Sequence, residues 1–545
     1  MAGLRRLIVC ATAALGLAAS SAARAERGPL VDAPAGAVEG RMDAGVRVFK
    51  GLPYARAARW TPPTPAAKWP DVRDATRFGP ACFQPKALPG SSIYADDPGP
   101  MSEDCLSLNV WTPKDARAAP VLVWIHGGSL TTGSSHESLY DGARLASRGV
   151  VVVSINYRLG VLGYLAHPGL SAESPLGISG NYGLLDQIEA LRWVQRNVAA
   201  FGGDPAKVTI AGESAGALSV MYLMAAPAAR GLFSKAIAQS AYMITTPELR
   251  RRANGQAPAE EAGVQLAAKL GAADLAALRA MDAGALTQAA VGARYAPFGV
   301  VDGKVLPRQL VEVFDRGEQA PVPLLAGFNS GEIRSLRFLA PPAPASAATY
   351  EKIIRDRYLD LADEYLRLYP ASAMQENILA ATRDATYGWT AERLVRKQAA
   401  LGLPAFLYVF DHGYPAADDA GLHAFHASEL PYVFGTLART PPSWPKAPLT
   451  PRERLFSDAM ADYWTSFART GRPQAAGQPA WRPYGSNGVF MAFQEVPRLS
   501  ARRLPGMYEL HEAVVCRRRA TGELAWSFNV GLVSPPLPAR TAPCG

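Results

Sequence analysis

Residues 201–216 read FGGDPAKVTIAGESAG, and the fold turns on them. Gly202, Gly203, Asp204 and Pro205 are loop chemistry. Val208, Thr209 and Ile210 are β-branched, as a buried strand prefers. Gly212-Glu213-Ser214-Ala215-Gly216 follows, a G-x-S-x-G. Its glycines remove side chains where the chain must turn sharply from strand to helix, leaving the serine hydroxyl on the point of the turn. Residues 217–224 carry no charge and are good helix formers, so a buried helix is predicted, stopped before Pro227. Its N-terminus aims free N–H groups and a positive dipole end at Ser214, where a developing oxyanion would be held.

Working outward, 121–125 is an apolar run ending in His126-Gly127-Gly128-Ser129. Another, 150–155, is broken only by Ser154 and ends in Asn156-Tyr157-Arg158. Near-continuous apolar strands imply burial on both faces, hence a mainly parallel sheet covered by helices. Leu184, Ile188, Leu191, Val194 and Val198 recur at steps of three and four, a helix between that strand and the serine strand. Further strands are predicted at 46–49, 232–239, 322–326 and 405–410, and an Ala-rich helical stretch at 257–286. APPAPA at 340–345 is a Pro-rich break, followed by helices over 350–369 and 390–401 inserted before the 405–410 strand. Leu455, Phe456, Met460, Trp464 and Phe467 mark a late amphipathic helix ended by Gly471 and Pro473. No internal repeat is present.

The totals narrow the function classes. The chain has 545 residues, 49% hydrophobic and 19% charged, a globular composition with a large core. Residues 1–25 read as a signal peptide: Arg5 and Arg6, a short apolar run, then Ala23-Arg24-Ala25 before Glu26. That run is too short to span a membrane, and no other segment reads as transmembrane. A secreted or periplasmic protein is expected. Loss of Arg5, Arg6 and Arg24 lowers the formal charge from +9 to +6, and no Lys/Arg run suggests a nucleic-acid groove. Five cysteines become four when Cys10 leaves, which suggests two disulfides in an exported chain, with three pairings open. There is no C-x-x-C, so neither a metal site nor thiol redox chemistry is indicated, and no cofactor is expected.

The serine segment resembles the signature of the type-B carboxylesterase family, which includes the cholinesterases and para-nitrobenzyl esterases: F-G-G, four residues, then V-x-I-x-G-E-S-A-G. Phe49-Lys50-Gly51-Leu52-Pro53-Tyr54-Ala55 resembles that family's F-x-G-I-P-Y-A, and residues 103–110, EDCLSLNV, its E-D-C-L-x-L-N-V. Ser107 stands where the family more often has Tyr or Thr. The resemblance runs from Phe49 to about Pro473 and is weakest from about Ala501. It implies an α/β-hydrolase fold over 26–545, a single domain with a helical cap inserted at about 340–402. It also implies a Cys82–Cys105 bridge, which leaves Cys516 with Cys544 by elimination.

A serine hydroxyl is a poor nucleophile until a base takes its proton, and in this fold the chain order is nucleophile, acid, histidine. The chain has seven histidines, and His412, His423, His426 and His511 lie beyond Ser214. His426 heads H-A-S-E-L-P-Y-V-F-G, which resembles the family's catalytic-histidine segment; His423 is the runner-up. Glu332, in Gly327-Phe328-Asn329-Ser330-Gly331-Glu332, sits where the family's N-x-x-E places its catalytic glutamate, although Gly331 and Ile333 depart from the usual Asp and Gly. Asp302 is the other acid candidate and looks more like a structural D-G turn. Glu213 adjoins the nucleophile and cannot reach the far side of the imidazole. The resemblance gives the oxyanion donors as the N–H groups of Gly128, Ser129 and Ala215, with Ser129 replacing a Gly or Ala.

The reading is a secreted serine hydrolase that cleaves small-molecule carboxylic esters through an acyl-enzyme, with Ser214, His426 and Glu332 as its triad. A catalytically silent binding or adhesion relative is the alternative from another class. A lipase or an amide or carbamate hydrolase could use the same triad. Arg334 and Arg337 lie three apart after Glu332, and Arg294 precedes Tyr295 in a segment that could line the same cleft. On one helix face, one or both of the first two would clamp a free carboxylate on the substrate through bidentate guanidinium contacts.

Overall fold

The structure is a computed structural model that describes residues 28–86, 90–527 and 529–539. The expected signal segment, Cys10 and Cys544 lie outside these residues, and so does the expected Cys516–Cys544 bridge.

An eleven-stranded sheet forms the centre. In chain order its strands are β1 (Arg41–Asp43), β2 (Val46–Pro53), β3 (Ser107–Pro113), β4 (Ala119–Ile125), β5 (Val151–Ile155), β6 (Gly203–Glu213), β7 (Lys235–Gln239), β8 (Leu324–Asn329), β9 (Ala405–Phe410), β10 (Val489–Phe493) and β11 (Pro497–Ala501). In space they run β11-β10-β9-β8-β7-β6-β4-β5-β3-β2-β1. The run from β10 to β5 is parallel throughout. Antiparallel strands close both margins.

The alternation along each strand explains the near-continuous apolar runs. Val121, Val123 and Ile125 enter one core and Leu122 and Trp124 the other. Val151, Val153 and Ile155 side with the first group and Val152 with the second. Both faces are therefore covered, and period-two side chains have no polar side to show. The helix Tyr182–Asn197 lays Leu184, Ile188, Leu191 and Val194 on the first face. The helix Pro451–Thr470 lays Phe456, Met460, Trp464 and Phe467 on the second, and Gly471 ends it in a left-handed cap. Truncating a side chain such as Leu191 to Ala would cost about 2–5 kcal/mol by the usual cavity penalty.

Some elements differ from the sequence expectation. The 350–369 stretch is two helices, Ala347–Tyr358 and Ala362–Leu368, parted where Leu359 takes φ 51°. The helix Met374–Arg383 and the π-helical turn Asp384–Gly388, leading into Trp389–Ala400, were not foreseen. The 257–286 stretch divides into Ala259–Lys269, Leu275–Ala280 and Ala283–Gly292. Strands β3, β10 and β11 and the helix Met507–Thr521 have no counterpart in the sequence expectation. Cys82 and Cys105 are joined by a disulfide that closes the loop between β2 and β3.

Candidate active site

The parallel strands end level. Ile125 pairs with Gly212, Glu213 with Gln239, and Asn329 with Phe410. Loops leaving the C-terminal ends of β4, β6, β8 and β9 therefore meet over one edge of the sheet, the usual place for a site in such a fold.

Ser214 follows β6 directly and precedes the helix Ala215–Ala225, with φ 54° and ψ −120°. A residue with a side chain is strained there, by about 1–3 kcal/mol. The flanking glycines are steric requirements. A Cβ on Gly212 would lie 2.5 Å from the carbonyl of Gly216, and one on Gly216 would lie 2.1 Å from the Ile125 oxygen. The end of β4 thus packs straight onto the turn and brings its own loop beside the serine, with Gly127 against the Cβ of Ser214.

That loop is bent to free its amides. Gly128 and Ser129 have φ 99° and 56°. The Gly128 carbonyl accepts the N–H groups of Thr131 and Thr132, both at 2.9 Å. The N–H of Ser129 shares its peptide plane and must point the opposite way. Among the described residues, the N–H groups of Gly128, Ser129 and Ala215 meet no acceptor. Ala215 is the first residue of its helix, where the N–H has no intrahelical partner.

Glu332 and His426 meet. His426 Nδ1 lies 2.5 Å from Glu332 Oε2, and both side chains are buried. Glu332 Oε1 accepts the Asn329 backbone N–H at 2.8 Å, which fixes the carboxylate in plane. Glu332 opens a one-turn helix, Glu332–Ser335, at the end of β8. The unusual Gly331 has a steric reason: a Cβ there would lie 2.8 Å from the carbonyls of Leu422 and Ala424, in the loop that carries His426. On the other edge of the imidazole, Nε2 lies 3.1 Å from Glu213 Oε1. Among the described residues Ser214 Oγ makes no hydrogen bond.

Three buried carboxyls act electrostatically on this one imidazole, two of them in contact with it. The third, Glu429, accepts from Gln239 Nε2 at 2.9 Å and Asn329 Nδ2 at 2.7 Å. Burial pushes Glu429 up to about 7, against those two donors. Burial also raises Glu213 well above the usual carboxylate range. For His426 burial works downward, but the Glu213 and Glu332 carboxylates outweigh it and push the imidazole up to about 9. The two shifts are coupled, because a Glu213 that keeps its proton no longer raises His426.

The remaining candidates fall elsewhere. His423 bridges Asp418, at 2.9 Å, and Asp411, at 3.3 Å. His412 pairs with Glu453, and His511 with Tyr369. Asp302 accepts the N–H groups of Lys304, Val305 and Leu306, a structural turn. The expected arginine face is corrected. The helix ends at Ser335, Arg337 begins a separate 3₁₀ turn, and Arg334 is already engaged by Glu376, at 2.5 Å, and the Gly421 carbonyl. Arg294 is exposed. Sequence reasoning missed Glu429, although it stands inside the H-A-S-E segment. It also missed Tyr387, on the π-helical turn, whose ring lies 5.3 Å from that of His426. Among the described residues no group of three or more His, Cys, Asp or Glu could hold a metal ion, and no helix is long and apolar enough to cross a membrane.

A mainly parallel sheet with helices on both faces, a serine on a strained strand-to-helix turn and an acid–histidine pair at the neighbouring strand ends define an α/β-hydrolase. The comparisons carry this further. The model of the carboxylesterase family matches residues 27–504. The chain is 36% identical over 479 residues to a fumonisin B1 esterase of Sphingopyxis macrogoltabida, covering 84% of this chain and 85% of the other. It is 36% identical over 467 residues to the para-nitrobenzyl esterase of Bacillus subtilis (strain 168), covering 82% and 91%. A solved PNB esterase superposes with a TM-score of 0.76 at 32% identity, over 88% of this chain and 99% of the other. The chain belongs to the carboxylesterase family, as a type-B member and a carboxylic ester hydrolase.

Proposed function

We propose that the protein is a secreted serine carboxylesterase that works through an acyl-enzyme, with Ser214 as nucleophile, His426 as base and Glu332 as the acid that orients it. The supporting observation is the 2.5 Å contact between His426 Nδ1 and Glu332 Oε2. It leaves Nε2 on the edge where Glu213, the neighbour of Ser214, stands.

Ser214 Oγ bonds to the ester carbonyl carbon as its proton passes to His426 Nε2. The oxyanion is held by the free N–H groups of Gly128, Ser129 and Ala215, which are fixed before substrate arrives and cost no reorganisation. As the bond to the alcohol oxygen breaks, His426 returns the proton to it and the alcohol leaves. Water repeats the sequence on the acyl-Ser214, releasing the acid. Glu332 holds the imidazole in one tautomer and stabilises its charge without taking the proton.

On this reading residues 26–545 are one hydrolase domain with an inserted helical cap at about 340–402, and residues 1–25 direct export. A mature N-terminus at Glu26 would support the export reading. Any preference for esters bearing a free carboxylate is carried by Arg337, which is exposed and has no acidic partner among the described residues, and not by Arg334.

The test is stoichiometric labelling of Ser214 by an organophosphate, with a burst of alcohol release in the pre-steady state. Ser214→Ala should lower kcat by up to about 10⁶-fold. A pure Ser214→Ala sample that keeps more than a few per cent of activity would overturn the assignment.

A further inference from the structure

Tyr94 lies on the loop closed by the Cys82–Cys105 disulfide and touches both halves of the candidate site. Its hydroxyl donates to the main-chain carbonyl of His426 at 2.9 Å and lies 2.7 Å from Ser335 Oγ. Ser335 is the last residue of the short helix that Glu332 begins. One phenol therefore bridges the segment carrying the acid and the segment carrying the histidine.

The backbone after the histidine needs such a contact. Ala427 has φ 66°, a left-handed conformation that costs a residue with a side chain about 1–2 kcal/mol. A turn of that kind persists only where its surroundings over-determine it. Tyr94 supplies one fixing contact through the carbonyl on the N-terminal side of Ala427. Its ring adds another, standing edge-on to the imidazole with centroids 6.3 Å apart. It also packs edge-on against Trp444, at 5.7 Å, which in turn packs on Phe425. The side chain of His426 has Glu332 at one nitrogen and Glu213 at the other, and both contacts require the His426 backbone to stay in register with the two carboxyls.

We propose that Tyr94 is a positioning residue for His426, and that the Cys82–Cys105 disulfide acts on catalysis through this phenol. The inference rests on the reading of His426 as the base. Without the phenolic O–H the His426 carbonyl faces only the edge of a ring. The turn at Ala427 then relaxes, and the imidazole spends more time away from the pose that serves Ser214. The loss falls on kcat, because the phenol is spent on the His426 carbonyl and Ser335.

The experiment compares wild type, Tyr94→Phe, the double variant Cys82→Ser/Cys105→Ser and the triple variant, with His426→Ala alongside. Tyr94→Phe should lower kcat about tenfold, leave KM within about twofold and leave the melting temperature almost unchanged. The acid limb of kcat/KM should move to lower pH, because an imidazolium held less firmly against Glu332 loses its proton more readily. The charged or titratable groups facing that imidazole are Glu332, Glu213 and Glu429, with the phenols of Tyr94 and Tyr387. Loss of the bridge should cost kcat when Tyr94 is present and little more once Tyr94→Phe has been made, the non-additivity of groups acting as a unit. An unchanged kcat and pH profile in Tyr94→Phe, or an equal cost of bridge loss with and without that substitution, would overturn the inference. An inactive His426→Ala beside an unaffected Tyr94→Phe sinks only the positioning role. An active His426→Ala sinks the base assignment beneath it as well.

Discussion

Glu213 Oε1 lies 3.1 Å from His426 Nε2, across the imidazole from Glu332. Position next to Ser214 keeps Glu213 off the Nδ1 edge but lets it reach the edge that, on the proposed reading, takes the serine proton. When ionised it stabilises imidazolium, the form that cannot act as a base. Glu213→Gln keeps the shape and removes that charge, so the pKa of His426 should fall. The acid limb of kcat/KM on a neutral ester should then shift to lower pH. An unmoved limb would mean that Glu213 keeps its proton throughout the working range.

Gly216→Ala should disable the site without touching any reacting atom. The new Cβ would sit 2.1 Å from the Ile125 oxygen, and a backbone carbonyl inside a parallel ladder cannot rotate aside. Overpacking of this kind costs about 1–3 kcal/mol and sometimes more. Thermal melting and organophosphate titration would read the two effects. A variant that melts and labels like wild type would contradict the packing described for the turn.

Arg334→Ala should leave substrate charge preference unchanged. Its guanidinium is spent on Glu376 and the Gly421 carbonyl, and a partly exposed pair of this sort is worth at most about 1 kcal/mol. The ratio of kcat/KM for an ester with a free carboxylate to that for its neutral analogue is the measure. The same ratio in Arg337→Ala decides whether that side chain selects charge, with a fall of about tenfold or more expected of a direct bidentate contact.

Stability should fall on acidification through the buried histidines. Burial lowers both His126 and His511 to about 4. The unfolded chain takes up these protons below about 6.5, while the folded chain refuses them until about 4. The contribution is therefore complete above 6.5 and lost as pH falls towards 4. His511→Gln, which has no proton to gain, should flatten the slope of melting temperature against pH over that window.

His423 should behave in the opposite sense. Its hydrogen bond to Asp411 is the largest cause of a raised pKa, and Asp411 also holds Ser330, two residues before Glu332. The stabilisation is present in full below about 6.5 and lost as pH climbs through the raised value. His423→Gln should thus destabilise the protein more at pH 6 than at pH 9. Equal destabilisation at both would show that its charge does not matter.

The parts of the fold written in local patterns were legible. Strands such as β4 and β9 declare themselves as apolar runs, whereas the pairing of Glu332 with His426 was legible only through the resemblance of the N-x-x-E and H-A-S-E-L-P-Y-V-F-G segments to a known family. Tyr94 declared nothing. Its bond to the His426 carbonyl spans 332 residues, and no spacing within the loop encodes it. Glu429 stands inside the H-A-S-E segment, but its bonds to Gln239 and Asn329 span 190 and 100 residues, and no local spacing encodes them. The shared arginine face is absent for a local reason: three residues apart is one face only while the helix lasts, and here it ends after a single turn.

The serine, the acid and the histidine stand at residues 214, 332 and 426, on loops from three different strands of one sheet. A nascent chain that ends before the helix Leu430–Phe434 would hold a shaped serine turn and lack a seated base. Assembly also has to wait for pairings distant in sequence, which are slow to form. On the proposed reading, hydrolytic activity is a late event in the life of the chain and a report that its far segments have docked. An ester assay during refolding would time the closing of the sheet as directly as any spectroscopic probe.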